Sequence, residues 1–232
     1  MNHKFVLFGA DHDVVMALTL AVPMALAFVS GRGRHVSRDA FIRRLFAVSL
    51  IATWIGWYAL FIARGWLGWG NALPMNLCDW ATVAVIAACL TRSRRAYELA
   101  YFWSLAGTLQ GLVTPDVNYG FPEPQFVVFM LGHALIVAAV LYLTFGSGLR
   151  PVPASLPRAA GWTLLYAGAA ALTDWALGVN YGFFRAKPGH ATLYDALAPW
   201  PYYIPETIAL GLLALLVLYA PWGLADRLRR RR

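Results

Sequence analysis

Three side chains in this sequence have types and settings that suit covalent chemistry: Cys78, His133 and Asp174. Cys78 lies in Leu73-Pro74-Met75-Asn76-Leu77-Cys78-Asp79-Trp80, where an apolar stretch long enough to cross a bilayer opens with an amide, a thiol and a carboxylate. An ionisable residue at the centre of a membrane helix costs roughly 2.5 to 3.5 kcal/mol on insertion scales, so such groups persist where they have partners or a task. Pro74 suits the first turn of a helix, which places the thiol one turn inside an N-terminus whose partial positive charge favours thiolate. His133 is the one histidine well inside an apolar stretch. Its neutral imidazole can take a thiol proton, and a carboxylate or amide such as Asp174, Asp79 or Asn180 can hold the ring, giving nucleophile, base and orienter. Against this stand plainer readings, in which Cys78 is a small inert core residue and His133 bonds a neighbouring helix. Cys89, among Ala and Ile, reads as core, and eleven residues of helix put it about 16 Å from Cys78, too far for a disulfide.

The elements that must position these groups follow from composition. Of the 232 residues 60% are hydrophobic and 13% charged, too apolar for a soluble domain, whose apolar share is nearer ~45 to 50%. The chain reads as an all-α integral membrane protein, a single membrane domain over 1–232 without internal repeats. Seven mostly apolar stretches cover 14–30, 45–63, 73–90, 96–113, 126–145, 159–179 and 202–220, each matching the ~17 to 25 residues of a spanning helix. Of nineteen Lys and Arg, only Lys4, Arg64, Arg185 and Lys187 fall on one side of such a bundle. The other fifteen fall on the opposite side, so the positive-inside rule places the N-terminus outside and the C-terminus inside. The net charge of +8 therefore speaks of topology and anionic headgroups, with no nucleic-acid partner expected.

Topology assigns depths, at about 1.5 Å per residue. Cys78 lies about 6 Å inward from Pro74, His133 about 10 Å from Phe126, Asp174 about 8 Å from Val179 and Glu206 about 6 Å from Tyr202. His12 and Asp13 open the first stretch, and Gln110, Thr114 and Asp116 close the fourth, on the same side. A polar chamber facing the outer leaflet is expected, lined by Cys78, His133 and Asp174. Substrate contacts are expected from Asn76, Asp79, Asp116, Asn180, Tyr181, Lys187, Trp200, Glu206 and His12. The long outer loop from Asn180 to Pro201 reads as a lid through Tyr181, Phe183, Phe184 and Trp200. Asn76, Asn180 or backbone amides near Cys78 are the candidates to hold an oxyanion, and Arg185 and Lys187 to meet a headgroup phosphate.

Several motifs resemble those of the YwaF and transmembrane protein 164 family. They are Asn76-Leu77-Cys78-Asp79, Thr114-Pro115-Asp116, Gly120-Phe121-Pro122 leading to His133, and Asn180-Tyr181 through Lys187-Pro188 to Pro199-Trp200-Pro201-Tyr202-Tyr203, with His12 matching an N-terminal position. The resemblance implies seven spans and, from the eukaryotic branch, a phospholipid acyltransferase whose cysteine and histidine fall on Cys78 and His133. It also implies membrane phospholipids and lysophospholipids as partners, no cofactor, and a place in the plasma membrane of a bacterium. The residues by themselves leave two other readings open. One is a zinc-dependent lipid hydrolase using His12, His133, His190 or His3 with Asp174, although no close His pair such as H-x-x-x-H occurs. The other is a transporter or lipid-binding protein with Asp174 and Glu206 along its path.

Overall fold

The computed structural model describes residues 4–189 and 192–230; His3 and His190 of the zinc reading lie outside the described residues. Among these the chain is helical throughout, apart from one isolated bridge between Lys4 and Tyr119. The helices are α1 (Ala10–Val29), α2 (Val36–Ala63), α3 (Leu77–Thr91), α4 (Arg94–Trp103), α5 (Leu109–Val113), α6 (Pro124–Phe145), α7 (Ser155–Leu177) and α8 (Tyr203–Arg230). Between α4 and α5 a π-helical turn covers Ser104–Thr108. Each of the seven apolar stretches therefore holds helix, the fourth in three consecutive pieces. α1, α2, α6 and α8 are long and apolar enough to cross a membrane. Their outward faces carry side chains such as Phe28, Ile55 and Leu213, all largely exposed, as befits lipid-facing surface.

α1 and α7 each begin four residues before the sequence reading, and three further boundaries differ for a local reason. α2 begins at Val36 rather than Leu45 because its charged first turns find buried partners. Asp39, 1% exposed, accepts from Arg43 Nε at 2.9 Å, Ser147 Oγ at 2.5 Å and Tyr142 Oη at 3.2 Å, while Arg43 also donates to the carbonyl of Cys89. α3 begins at Leu77 rather than Leu73. Asn76 has extended dihedrals (φ −81°, ψ 152°) and acts as N-cap, with its amide donating to Asp79 Oδ2 at 2.9 Å in a capping box. At 15 residues α3 is about 22 Å long, shorter than a ~30 Å hydrocarbon core. α8 runs on past Pro221, tied down by Arg150 on Asp226 at 2.5 Å.

α6 is the hub, packing against α1, α2, α3 and α5, while α3 sits between α2 and α4. α7 lies against α4 and α8, and α8 against the π-turn. The core runs through Leu50, Val85, Phe102, Tyr142 and Leu143, each no more than 2% exposed. At the arginine-rich end Arg158 grips buried Glu98 through two bonds of 2.9 and 2.7 Å. Such bidentate pairing offsets part of the cost of burying a carboxylate.

Candidate functional site

Cys78 occupies the second position of α3, one turn nearer the N-terminus than Pro74 had suggested. Proline 74 instead precedes the cap, where its carbonyl accepts from the indole of Trp80 at 3.1 Å. The first amides of a helix have no carbonyl to bond within it, and here the amide of Asp79 is taken by the Asn76 carbonyl at 3.0 Å. The thiol is half-buried, whereas Cys89 is fully buried. Of the two cysteines, Cys78 is the one at a helix start and the more accessible.

His133 presents one ring nitrogen. Its Nδ1 lies 2.9 Å from the carbonyl of Phe129, and the two rings stack with centroids 4.1 Å apart. A carbonyl only accepts, so the neutral ring carries its proton on Nδ1 and leaves the Nε2 lone pair free. Nε2 faces Gly111, at which an added Cβ would stand 3.2 Å away. One turn earlier, Gly107 receives the side chain of Leu77, the neighbour of Cys78. The two glycines thus let Leu77 of α3 and His133 of α6 close on one face of the α4–π–α5 helix. No hydrogen bond joins Cys78 and His133, and catalytic contacts are commonly looser before substrate binds. The imidazole is oriented by the Phe129 carbonyl rather than by any of the three side chains considered from sequence. Asp79 is engaged with Asn76, Asn180 with its own loop, and Asp174 with Tyr181.

Asp174 is fully buried and stands in a cluster of tyrosines. Its Oδ1 accepts from the amide of Tyr181 at 2.5 Å, and its Oδ2 has no partner among the described residues. Tyr166, 5% exposed, likewise has a hydroxyl with no partner. The Tyr166 phenol is within electrostatic reach of Cys78, Tyr194, Asp79 and Asp174, and its ring meets Trp80 edge-on at 5.5 Å. Asp174 therefore belongs with Tyr166 on the α7 side of Cys78, and His133 with Gly111 on the α6 side. Tyr166 escaped sequence reading because a tyrosine among Leu, Ala and Gly carries no signal of its own. The close approach at Gly107 and Gly111 was also missed, and the Gly-x-x-x-Gly spacing is the signal that could have found it.

The outer loop is fastened over this end. Tyr181 Oη donates to the carbonyl of Trp69 at 2.6 Å and accepts from the amide of Leu73 at 2.9 Å, linking the loop to the segment that leads into α3. Burial, with Asp79 and Asp174 adding to it, raises the Tyr181 phenol above its ordinary value, so it serves as a neutral donor. Gly182 and Phe183 both have left-handed dihedrals (φ 61° and 62°), strained for a phenylalanine. The strain is held by Tyr203, whose hydroxyl donates to the Phe183 carbonyl at 2.5 Å. Lys187 turns back onto the Leu197 carbonyl at 2.9 Å and the Tyr203 ring, Glu206 accepts from the amide of Ala198 at 2.9 Å, and the Trp200 indole donates to the Phe184 carbonyl at 3.3 Å. Asn180 accepts from the amides of Arg185 and Ala186. Each of these residues spends its polar group on shaping the loop.

His12 is fully buried with both nitrogens engaged: Nε2 on the Leu112 carbonyl at 2.8 Å, Nδ1 accepting from the Phe8 amide at 3.1 Å. It joins α1 to α5. Asp116 lies exposed on the loop after α5. Two surface depressions of about 450 and 440 Å³ open near Lys4 and Phe5, and neither is lined by Cys78, His133 or Asp174. Among the described residues no three His, Cys, Asp or Glu side chains converge as a metal-ligand set.

No curated protein and no solved structure matches the chain. The model of the TMEM164 family matches residues 7–219, a span that takes in α1 to α7 and most of α8. With its several apolar helices, this chain is an integral multi-pass membrane protein and belongs to the TMEM164 family.

Proposed function

We propose that this protein is a membrane-embedded acyltransferase or lipid hydrolase that works on glycerophospholipid acyl esters through a thioester at Cys78. The observation that carries the reading is two features together: a half-buried thiol in the first turn of α3, and an imidazole on α6 whose Nδ1–H is fixed by a carbonyl. In the acylation step the Cys78 proton passes to His133 Nε2 and the sulfur bonds to the ester carbonyl carbon. The carbon–oxygen bond then breaks, and the lysolipid oxygen leaves with the proton from His133. In the second step a lysolipid hydroxyl, or water, loses its proton to His133 and attacks the thioester, and the departing sulfur recovers that proton. The α3 amides are the nearest candidates to stabilise the oxyanion. Asp174, Asn76, Asp79, Asn180, Tyr181, Lys187, Trp200 and Glu206 hold the walls and the loop of the site. Asp116 and His12 stand at the outer end of the α1–α5 side, His12 as a tie between helices.

The helices α1, α2, α3, α4 to α5, α6, α7 and α8 act as seven spans, with the N-terminus outside and the C-terminus inside. The fifteen-to-four split of Lys and Arg supports this orientation. The site then opens to the outer leaflet of a plasma membrane, that of a bacterium. Activity toward mixed phospholipids tests the chemistry. Cys78→Ala and His133→Ala are each expected to abolish transfer, and the double variant to be no worse than Cys78→Ala alone, because members of one catalytic unit are strongly non-additive. Full activity in Cys78→Ala turns the reading toward the zinc hydrolase or the transporter.

A further inference from the structure

Two buried polar atoms of α7 lack hydrogen-bond partners among the described residues, the Tyr166 hydroxyl and Asp174 Oδ2. Leaving a buried donor or acceptor unmade costs about 1 to 3 kcal/mol, more for a charged group, so two together in one place need a reason. They sit on one helix, α7, and both groups meet the Tyr181-Gly182 turn: the Tyr181 amide donates to Asp174 Oδ1, and Gly182 packs against the Tyr166 hydroxyl. One is a donor and the other an acceptor, separated by more than a direct bond. A single alcohol oxygen between them would accept from the phenol and donate to the carboxylate, satisfying both at once. An added Cβ at Gly182 would come within 2.7 Å of the Tyr166 hydroxyl, and Gly182 has φ +61°, so any larger residue would both strain the turn and press on the phenol. Asp174 Oδ1 is held by the Tyr181 amide, which aims the second oxygen, and Trp80 buttresses the Tyr166 ring from the side of α3.

We propose that Tyr166 and Asp174 form a subsite for one non-reacting alcohol hydroxyl of the lipid substrate, carried by its headgroup or by the free glycerol position of a lysolipid. The subsite rests on the lipid reading given above and adds to it a chemical preference. Its two residues position the substrate, while the bond-making stays with Cys78 and His133.

Binding to the full-length Cys78→Ala protein, measured in detergent by native mass spectrometry, separates this inference from the chemistry. The probes are phosphatidylglycerol against phosphatidylcholine, for a headgroup hydroxyl, and lysophosphatidylcholine against its deoxy analogue, for a glycerol hydroxyl. The expected result is about a tenfold preference for the hydroxyl-bearing member of one pair, the scale of a hydrogen bond to a charged group. Tyr166→Phe and Asp174→Asn, both nearly volume-conserving, should each reduce that preference to within about twofold while the thermal midpoint stays in range. Equal binding within both pairs overturns the subsite, as does a preference that survives in both variants. A missing acyl adduct on Cys78 in the parent protein would defeat the thioester and leave the hydroxyl preference standing, so the two failures are distinguishable.

Discussion

Gly111→Ala tests whether the position of His133 against α5 matters to the reaction. The added Cβ would lie 3.1 Å from Cδ2 and 3.2 Å from Nε2 of the ring, closer than the ~3.5 Å of comfortable contact, so the ring must retreat by a few tenths of an ångström. It cannot do so freely, since Nδ1 is held by the Phe129 carbonyl at 2.9 Å and the ring is stacked on Phe129. A misplacement near 1 Å can cost about 100-fold in rate, so a shift of a third of that is expected to cost about fivefold. Stability should move the other way or not at all. Alanine in a helix is favoured over glycine by up to about 1 kcal/mol, which offsets the local crowding. The assay pairs acyl-transfer rate with thermal unfolding in detergent. An unchanged rate with an unchanged or raised midpoint would refute the argument that His133 works from its seat over Gly111.

Other outcomes follow from the same geometry. A thiol-selective reagent should label half-buried Cys78 at least about tenfold faster than fully buried Cys89, and His133→Ala should slow it, as read by peptide mass spectrometry; equal labelling would contradict the site. Asp39→Ala removes the anion that neutralises Arg43 in a buried setting and should destabilise by about 3 kcal/mol in chemical unfolding, with no change in labelling of Cys78. Tyr181→Phe deletes one donated and one accepted bond, worth about 1 to 3 kcal/mol together, and should raise tryptic cleavage after Arg185. Unaltered cleavage would mean that the loop is held by its aromatic packing alone.

The seven helical stretches and the place of Cys78 near a helix start were readable because hydropathy and capping signals are local properties. The details that differ are those set by partners distant in the chain. α2 could not be extended to Val36 from sequence, since only folding brings Ser147 and Tyr142 to Asp39. The start of α3 moved because a capping box between Asn76 and Asp79 outcompeted the Pro74 signal. Asp174 looked like the orienter of His133 by depth alone, yet depth says nothing of azimuth, and the carboxylate turned to Tyr181 while the ring bonded its own helix. The π-turn at Ser104–Thr108, with buried hydroxyls on Ser104 and Thr108 that lack partners among the described residues, has no sequence pattern to announce it.

The thioester itself is the central claim, and intact-protein mass spectrometry after incubation with mixed phospholipids measures it most directly. The account predicts a hydroxylamine-labile acyl adduct that maps to Cys78, is absent from Cys78→Ala and persists in Cys89→Ala. Phospholipid turnover without an adduct on Cys78, or undiminished turnover in Cys78→Ala, would contradict it.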